Sequence, residues 1–197
     1  FSSSEQIAVG HLDGRVSFWP KPDVAPLSAP AKSNAAAHAQ PIAVFGSAPM
    51  LAWAGYDGGV HLWNTSTPDR QPQIIGKSLG RVTALAVDVE GNQILAGTLG
   101  GDIAIWDLDD LSAPFHKLVG HASQITSLAV AAGGRLASGS LDNTIRLWNL
   151  ARTDLPPVTI DHGAWVWSVV FAPDGKMIAS AGADRAVRLW PTSAPAM

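Results

Sequence analysis

Serine, histidine and aspartate recur in the second half of the chain in an order that could support acyl transfer. In a hydrolase these types supply a nucleophile, a general base and an orienting carboxylate. A nucleophile is not normally duplicated at a fixed spacing, so the recurrence favours a structural role and predicts no catalytic residue. The two sets have nearly equal internal separations and consist of His121, Ser138, Asp142 and His162, Ser180, Asp184.

No other set of residues has the types and spacing of a catalytic, metal-binding or phosphate-binding site. His11, His61 and His116 lie far apart and show no metal-ligand spacing. The chain contains no cysteine, which excludes disulfides and thiolate chemistry. Gly100-Gly101 has the character of a hairpin turn, with no helix after it to form a phosphate loop. We expect neither a metal ion nor a cofactor.

Bulk properties limit the classes of partner. A chain of 197 residues with 47% hydrophobic residues fits one globular domain, and its net charge of −3 argues against a nucleic-acid-binding surface. No apolar run approaches the roughly 18 residues that cross a bilayer, so no membrane partner is expected. The absence of cysteine suits a reducing compartment, and we predict a cytoplasmic location. Because the chain begins at Phe1, we interpret it as part of a longer protein.

Internal repetition is the strongest organisational signal. Five segments align, each with a short apolar run, a turn and an alternating run that ends in tryptophan, and successive tryptophans are 42 to 44 residues apart. These segments end at Trp19, Trp63, Trp106, Trp148 and Trp190.

Each repeat has the pattern of antiparallel β-structure. Pairs such as Asp57-Gly58 and Asp142-Asn143 suit tight hairpin turns, and helical periodicity is absent. Three or four short strands per repeat predict an all-β fold, a β-propeller of four-stranded antiparallel blades. We place the repeats of one domain, residues 1–197, at about 1–34, 35–76, 77–119, 120–160 and 161–197. Residues 20–41 are rich in proline and alanine, which predicts a loose outer strand with a long loop.

Over nearly its whole length the sequence resembles the WD-repeat family. The resemblance rests on Gly120-His121, on the run from Ser140 to Asn149 (SLDNTIRLWN), and on the Trp-Asp pair at Trp106-Asp107. It implies a hydrogen-bonded tetrad of His, Ser, Asp and Trp within a blade. Carried over by position, the tetrads are His121, Ser138, Asp142, Trp148 and His162, Ser180, Asp184, Trp190. In the second repeat Trp53 stands where the hydroxyl should be.

The strand count predicts an incomplete ring. The first repeat starts at a second strand, and the residues after Trp190 are poor strand formers. We therefore expect the chain to be an arc of a seven-bladed ring, with about two further blades supplied by the same polypeptide; closure as a five-bladed ring is the alternative.

The resemblance further implies a rigid platform that binds proteins or peptides at one end of the blades. Its contact positions map to Trp165, Trp167, Gln124, Thr126, Leu141, Arg81, Thr83, Leu99, Tyr56 and Leu12. Independently, Trp165 and Trp167 are two residues apart and should share one side of a strand, opposite Val166. Large apolar residues also precede the turn in four repeats, where hairpins are normally polar.

Three classes of function remain open. The Ala-rich repeats resemble bacterial proteins in which a WD-repeat sensor or interaction domain follows a signalling effector, such as an NTPase, a caspase-like peptidase or a kinase. A stand-alone scaffold subunit of a complex is the alternative. A propeller enzyme is the third, and it would need convergent acids, bases or a metal that the sequence does not show.

Overall fold

The computed structural model describes residues 7–10, 16–19, 25–29, 41–45, 49–55, 57–77, 79–113 and 115–192. Every helix-or-strand element within these ranges is a β-strand, and every strand pair is antiparallel. The predicted all-β fold is therefore confirmed. Leu12 and Tyr56 lie outside the described residues, as do 20–24 and 30–40 of the Pro/Ala-rich segment.

The strands form five consecutive sheets, called blades 1 to 5 below. Blade 1 contains β1 (Ile7–Gly10), β2 (Val16–Trp19) and β3 (Leu27–Ala29), and blade 2 contains β4 (Ile42–Val44), β5 (Met50–Ala54), β6 (Val60–Asn64) and β7 (Gln73–Ile75). Blade 3 contains β8 (Val82–Asp88), β9 (Gln93–Thr98), β10 (Ile103–Asp107) and β11 (His116–Leu118). Blade 4 contains β12 (Ile125–Ala131), β13 (Arg135–Ser140), β14 (Thr144–Asn149) and β15 (Val158–Asp161). Blade 5 contains β16 (Val166–Phe171), β17 (Met177–Gly182) and β18 (Val187–Pro191).

The blades form an open arc. The first strands of adjacent blades pack on one another, β4 on β8, β8 on β12 and β12 on β16, and no comparable packing joins blade 5 to blade 1 within the described residues. The first described strand of blade 1, β1, corresponds to the second strand of the other blades, because Ile7 pairs with Trp19 as Leu136 pairs with Trp148. Blades 1 and 5 each have three described strands, and β3 supplies an outer strand within the Pro/Ala-rich segment.

The turn between the second and third strands has the same backbone conformation in four blades. Gly58, Gly101, Asn143 and Arg185 occupy one repeat position and have φ values of 77°, 92°, 71° and 64°. Glycine and asparagine tolerate this left-handed region, so the Asp-Gly and Asp-Asn pairs explain the hairpins. Arg185 adopts it at a steric cost.

The core lies between blades, because each sheet presents alternate residues to its two neighbours. Ile145 of β14 packs in one cluster with Val166, Val169 and Ile178 of blade 5. Glycine in the second strand permits the closest approach, since a Cβ added at Gly97 would lie 2.5 Å from Ile125 Cγ2. The arc therefore depends on close contact between neighbouring sheets.

The close approach at Gly97 leads to a stability prediction. Gly97→Ala should lower the free energy of unfolding by about 1–3 kcal/mol, because β12 must shift away from β9. Gly100→Ala is the control, since the nearest atom would lie 3.8 Å from its Cβ and the residue is exposed; it should stay within about 0.5 kcal/mol of wild type. Chemical denaturation measures both, and equal losses would contradict the proposed contact.

Candidate partner-binding face

In blades 3 to 5 one end of the sheet gathers the residues that the family resemblance assigns to partner contacts. There the residue before the second turn donates its backbone N–H to the residue before the first strand: Leu99 to Arg81 (2.9 Å), Leu141 to Gln124 (3.1 Å) and Ala183 to Trp165 (2.8 Å). We call this the turn end. The repeated bond fixes these positions as neighbours within each blade.

Blade 4 contains a closed hydrogen-bonded tetrad. Trp148 Nε1 donates to Ser138 Oγ (2.8 Å), Ser138 Oγ bonds His121 Nε2 (2.8 Å), and His121 Nδ1 donates to Asp142 Oδ2 (2.8 Å). Thr144 completes the arrangement, because its hydroxyl donates to Asp142 Oδ1 (2.7 Å) and so holds the carboxylate beside the ring. The network satisfies polar groups in a buried region, where unmade hydrogen bonds are costly.

Burial and hydrogen bonding shift both titratable members of this tetrad. Burial lowers the pKa of His121 below its usual 6.5, against the opposing hydrogen bond and charge of Asp142. Burial would raise the pKa of Asp142, but hydrogen bonds from Thr144, the Ala122 N–H and His121 outweigh it and lower that pKa to about 2. A neutral imidazole beside an ionised carboxylate gives the donor directions just described.

Ser138, His121 and Asp142 lie within the hydrogen-bond distances of a catalytic Ser-His-Asp triad, but they cannot act as a hydrolase site. Ser138 is fully buried and His121 nearly so, which leaves no path for a substrate. In addition, the Trp148 indole donates to the serine oxygen that would have to attack. The geometry therefore stabilises the blade.

The predicted second tetrad is wrong in its connections. Trp190 Nε1 donates to Ser180 Oγ (2.8 Å), but Asp184 pairs with Arg188 (2.6 Å). Within the described part of the chain, His162 Nε2 lies 3.4 Å from Arg188 Nη1, and the buried His162 Nδ1 has no hydrogen-bond partner. The reason is visible in the sequence: Ala186 replaces the threonine that positions the carboxylate in blade 4.

Blade 2 shows the consequence of losing the hydroxyl. Trp53 occupies the position of Ser138 and stacks on His61, with ring centroids 5.1 Å apart. The buried Trp63 Nε1 then has no hydrogen-bond partner among the described residues. Packing replaces hydrogen bonding in this blade, as the sequence departure suggests.

Trp165 and Trp167 form an exposed aromatic pair at the turn end. They are 51% and 50% exposed, whereas Val166 between them is fully buried. Their rings meet edge to face, with centroids 5.9 Å apart. The pairing of β16 with β17 shifts register between Val166 and Ser168, so Trp167 stands at a β-bulge. The buried valine and the backbone bond from Ala183 hold both indoles on a rigid base.

The two predicted threonine contacts have a different role. Thr83 Oγ1 donates to the Ile125 carbonyl (2.6 Å), and Thr126 Oγ1 donates to the Val166 carbonyl (2.6 Å). Both threonines occupy the bulge position that Trp167 occupies in blade 5. Their hydroxyls link each blade to the next, so they offer a partner little polar surface. The sequence signal for this role is that threonine occurs at the same repeat position in both blades, and the structure places a β-bulge there.

The remaining predicted contact residues within the described part of the chain lie at the turn end of blades 3 and 4. Leu99 and Arg81 are exposed, and Leu141 and Gln124 are partly buried. The described residues contain no cluster of three or more potential metal ligands, and no helix there is long and apolar enough to cross a membrane.

An arc of antiparallel sheets with three or four described strands each is the architecture of a β-propeller. In four of the sheets the second and third strands are joined by a hairpin with the same turn conformation, and one sheet contains a His-Ser-Asp-Trp tetrad. Residues 112–149 and 156–191 match the WD40 family, described as WD domain, G-beta repeat. These two segments, less than half of the chain, are therefore similar to WD40 repeats, and WD40 repeats act typically as non-catalytic scaffolds for protein interaction.

The chain is also similar to a TSET complex member, tstF, from Dictyostelium discoideum. The two are 29% identical over 77 residues, which cover 38% of this chain and 7% of the relative. The chain thus spans only a small part of the relative's length.

The difference between the two tetrads leads to a matched prediction. Asp142→Ala should lower the free energy of unfolding by about 2–3 kcal/mol, because it leaves the buried His121 Nδ1–H without its carboxylate acceptor. Asp184→Ala at the same repeat position should cause a clearly smaller change, since that carboxylate is solvent-exposed. Thermal unfolding compares them, and equal losses would refute the assignment of the closed tetrad to blade 4.

The lowered pKa of His121 predicts an acid-sensitive fold. Above about pH 6.5 the imidazole is neutral in both states and its contribution is complete. As the pH falls below that value, the unfolded chain takes up a proton that the folded chain resists, so stability declines. His121→Gln should be less stable at pH 7.5 but should show a shallower fall in melting temperature between pH 6.5 and 5. Parallel profiles would count against this explanation.

Proposed function

We propose that this chain is a non-catalytic protein-interaction platform whose partner docks at the turn end, with Trp165 and Trp167 as its principal contacts. The observation that supports the proposal is that two large indoles are half-exposed on a rigid strand start, although each neighbouring blade carries smaller or more polar residues there. Exposed aromatic surface of this kind marks an interaction site.

The tryptophan pair has the properties of a binding hot spot. Tryptophan is among the residues that contribute most to protein interfaces when their surface is covered. The edge-to-face contact and the buried Val166 restrict both rings before a partner arrives, which reduces the entropy lost on binding. By contrast, Trp63, Trp106 and Trp148 are buried within the blades and are unavailable to a partner.

Other residues at the turn end favour a protein or peptide as the partner. Leu99 adds exposed apolar surface at the turn end of blade 3, and Arg81 adds a positive charge that suits a polar rim. The chain's net charge of −3 disfavours nucleic acid. The buried tetrad offers no catalytic group, which disfavours a propeller enzyme.

The cellular setting is part of the same proposal. We place the platform in the cytoplasm, as a sensor domain attached to a signalling effector. The alternative is a scaffold subunit of a multiprotein complex, and the similarity to a TSET complex member favours it. Sequence flanking residues 1–197 would distinguish them, since only the first setting requires an effector domain in the same polypeptide.

The binding proposal is tested by giving blade 5 the residues of blade 4. In the double variant Trp165→Gln, Trp167→Thr, the segment becomes Gln-Val-Thr, which resembles Gln124-Ile125-Thr126 and suits the same bulge. Affinity capture from the source organism, quantified by mass spectrometry, should show a partner retained by wild type and reduced at least about tenfold with the double variant.

The control variant removes exposed apolar surface elsewhere. Leu155 is exposed in the loop that follows β14, at the opposite end of blade 4 from the Asp142 turn. Leu155→Ala should retain the partner as wild type does, and the melting temperatures of both variants should stay near that of wild type. Undiminished capture by a folded double variant would overturn the proposal.

A further inference from the structure

The turn end of blades 3 to 5 carries an excess of positive charge, although the chain as a whole is acidic. Six basic residues lie at this end against four acidic ones, and the basic residues comprise Lys77, Arg81, Lys117, Arg146, Arg185 and Arg188. The opposite end of the same blades has three basic and seven acidic residues, and Asp107, Asp109 and Asp110 are exposed there in one loop. Charge is therefore separated between the two ends of these blades.

Two of the cations at the turn end neutralise neighbouring carboxylates. Lys117 Nζ lies 2.7 Å from Asp102 Oδ2. Arg188 Nη1 lies 2.6 Å from Asp184 Oδ2. The cations that are exposed and form no ion pair within the described part of the chain are Lys77, Arg81 and Arg185.

The remaining charged groups of the turn end do not balance these three cations. Asp142 is nearly buried in the tetrad, and Arg146 is partly buried. Asp161 is exposed and accepts a hydrogen bond from the Gly163 N–H (2.8 Å). Among the described residues, three exposed unpaired cations thus stand against one exposed unpaired carboxylate. A partner of complementary charge is acidic.

Arg185 is not explained by the needs of its turn. It occupies the left-handed position (φ 64°) that glycine or asparagine fills in blades 2 to 4, and an arginine adopts that conformation at a steric cost. The same turn adjoins the tryptophan pair, because the Ala183 N–H donates to the Trp165 carbonyl (2.8 Å). The arginine therefore places a guanidinium in the turn that is hydrogen-bonded to Trp165.

Arg81 lies in one row with Trp165, two blades away. Arg81, Gln124 and Trp165 share one repeat position, immediately before the first strands of blades 3, 4 and 5. At this end one threonine side chain spans the gap between neighbouring first strands, with a hydrogen bond of 2.6 Å at each junction. Neighbouring positions in the row are thus roughly 7 Å apart, and Arg81 lies roughly 14 Å from Trp165.

We infer that the turn end binds an extended acidic segment of a partner protein. An apolar or aromatic side chain of the segment packs on Trp165 and Trp167, and a carboxylate about four residues away pairs with Arg81, since an extended chain rises about 3.3 Å per residue. A second carboxylate beside the apolar anchor pairs with Arg185. The inference rests on the proposed function, because it assigns the chemistry of the partner that docks on the same face.

Carboxylates suit this surface better than phosphates. A phosphate group is bound where several cations converge on one point. Arg81 and Arg185 lie on different blades and each offers a single positive charge, which matches carboxylates spaced along a peptide. A polynucleotide needs a continuous basic surface, and the exposed carboxylate of Asp161 lies close to the tryptophans in sequence and interrupts it.

The test selects peptides from a randomised library displayed on phage, with the intact protein as bait. Enriched peptides should carry Asp or Glu about four positions from a large apolar residue. A synthetic enriched peptide, labelled with fluorescein, is then titrated by fluorescence polarisation. In the double variant Arg81→Gln, Arg185→Asn, which gives both positions the residues of blade 4, its dissociation constant should rise at least about tenfold.

A charge variant at the opposite end is the control. Lys176 is an exposed cation without an ion pair among the described residues, and it lies in the turn before β17. Lys176→Gln should bind the peptide as wild type does. Melting temperatures check that each variant is folded.

The outcomes separate this inference from the proposed function. Acidic peptides that require both the tryptophans and the arginines support it. Peptides that are lost with Trp165→Gln, Trp167→Thr but retained by the arginine double variant overturn the acidic assignment and leave the proposed function intact. Absence of enrichment, or peptides that the tryptophan variant also retains, overturns both. Tighter binding of a labelled single-stranded oligonucleotide than of the selected peptide also overturns the inference, because the surface then recognises phosphate.

Discussion

Packing of one sheet against the next is the interaction on which this molecule depends. A short sheet of three or four strands has two faces and cannot bury either one alone. Blades 1 to 4 bury one face by presenting large apolar residues of the third strand to the following blade, whose second strand and tryptophan cover them. Glycines such as Gly97 allow the approach. At blade 5, where no following sheet lies within the described residues, Val187 and Leu189 are exposed.

Hydrogen bonding acts within that packing and varies between blades. Among the described residues, blade 4 alone closes the full tetrad, since Thr144 and Ser138 supply the hydroxyls that position Asp142 and His121. Blade 5 lacks the threonine and blade 2 lacks the serine, and each leaves one buried ring nitrogen with no partner in the described part of the chain. Similar strand arrangements thus persist with different networks, because apolar burial between blades does not require the tetrad.

In blades 3 to 5 the first strand starts with a β-bulge, and the side chain at this bulge has a different role in blade 5. Thr83 and Thr126 use it to reach the carbonyl of the next blade. In blade 5 the same position carries Trp167, which makes an edge-to-face contact with Trp165 and remains half-exposed. Trp165 lies before the strand and occupies a position that is polar in blades 3 and 4. The pair therefore departs from the repeat pattern at a place where the backbone is already rigid.

The tryptophan spacing and the turn pairs predicted the all-β repeats and their hairpins, because strand alternation and positive φ are local requirements that residue types reveal. The separation of two residues between Trp165 and Trp167 also predicted that both lie on one side of a strand. Tertiary packing decided which side-chain hydrogen bonds form. Asp184 pairs with Arg188 and not with His162, and Thr83 and Thr126 donate to backbone carbonyls of the next blade. The sequence pattern does not reveal these partners, because His162 and the carbonyls of the next blade are distant in sequence from the groups concerned. Exposure of Val187 and Leu189 was likewise decided in three dimensions, because their sequence pattern matches buried positions and only the neighbouring sheet distinguishes them.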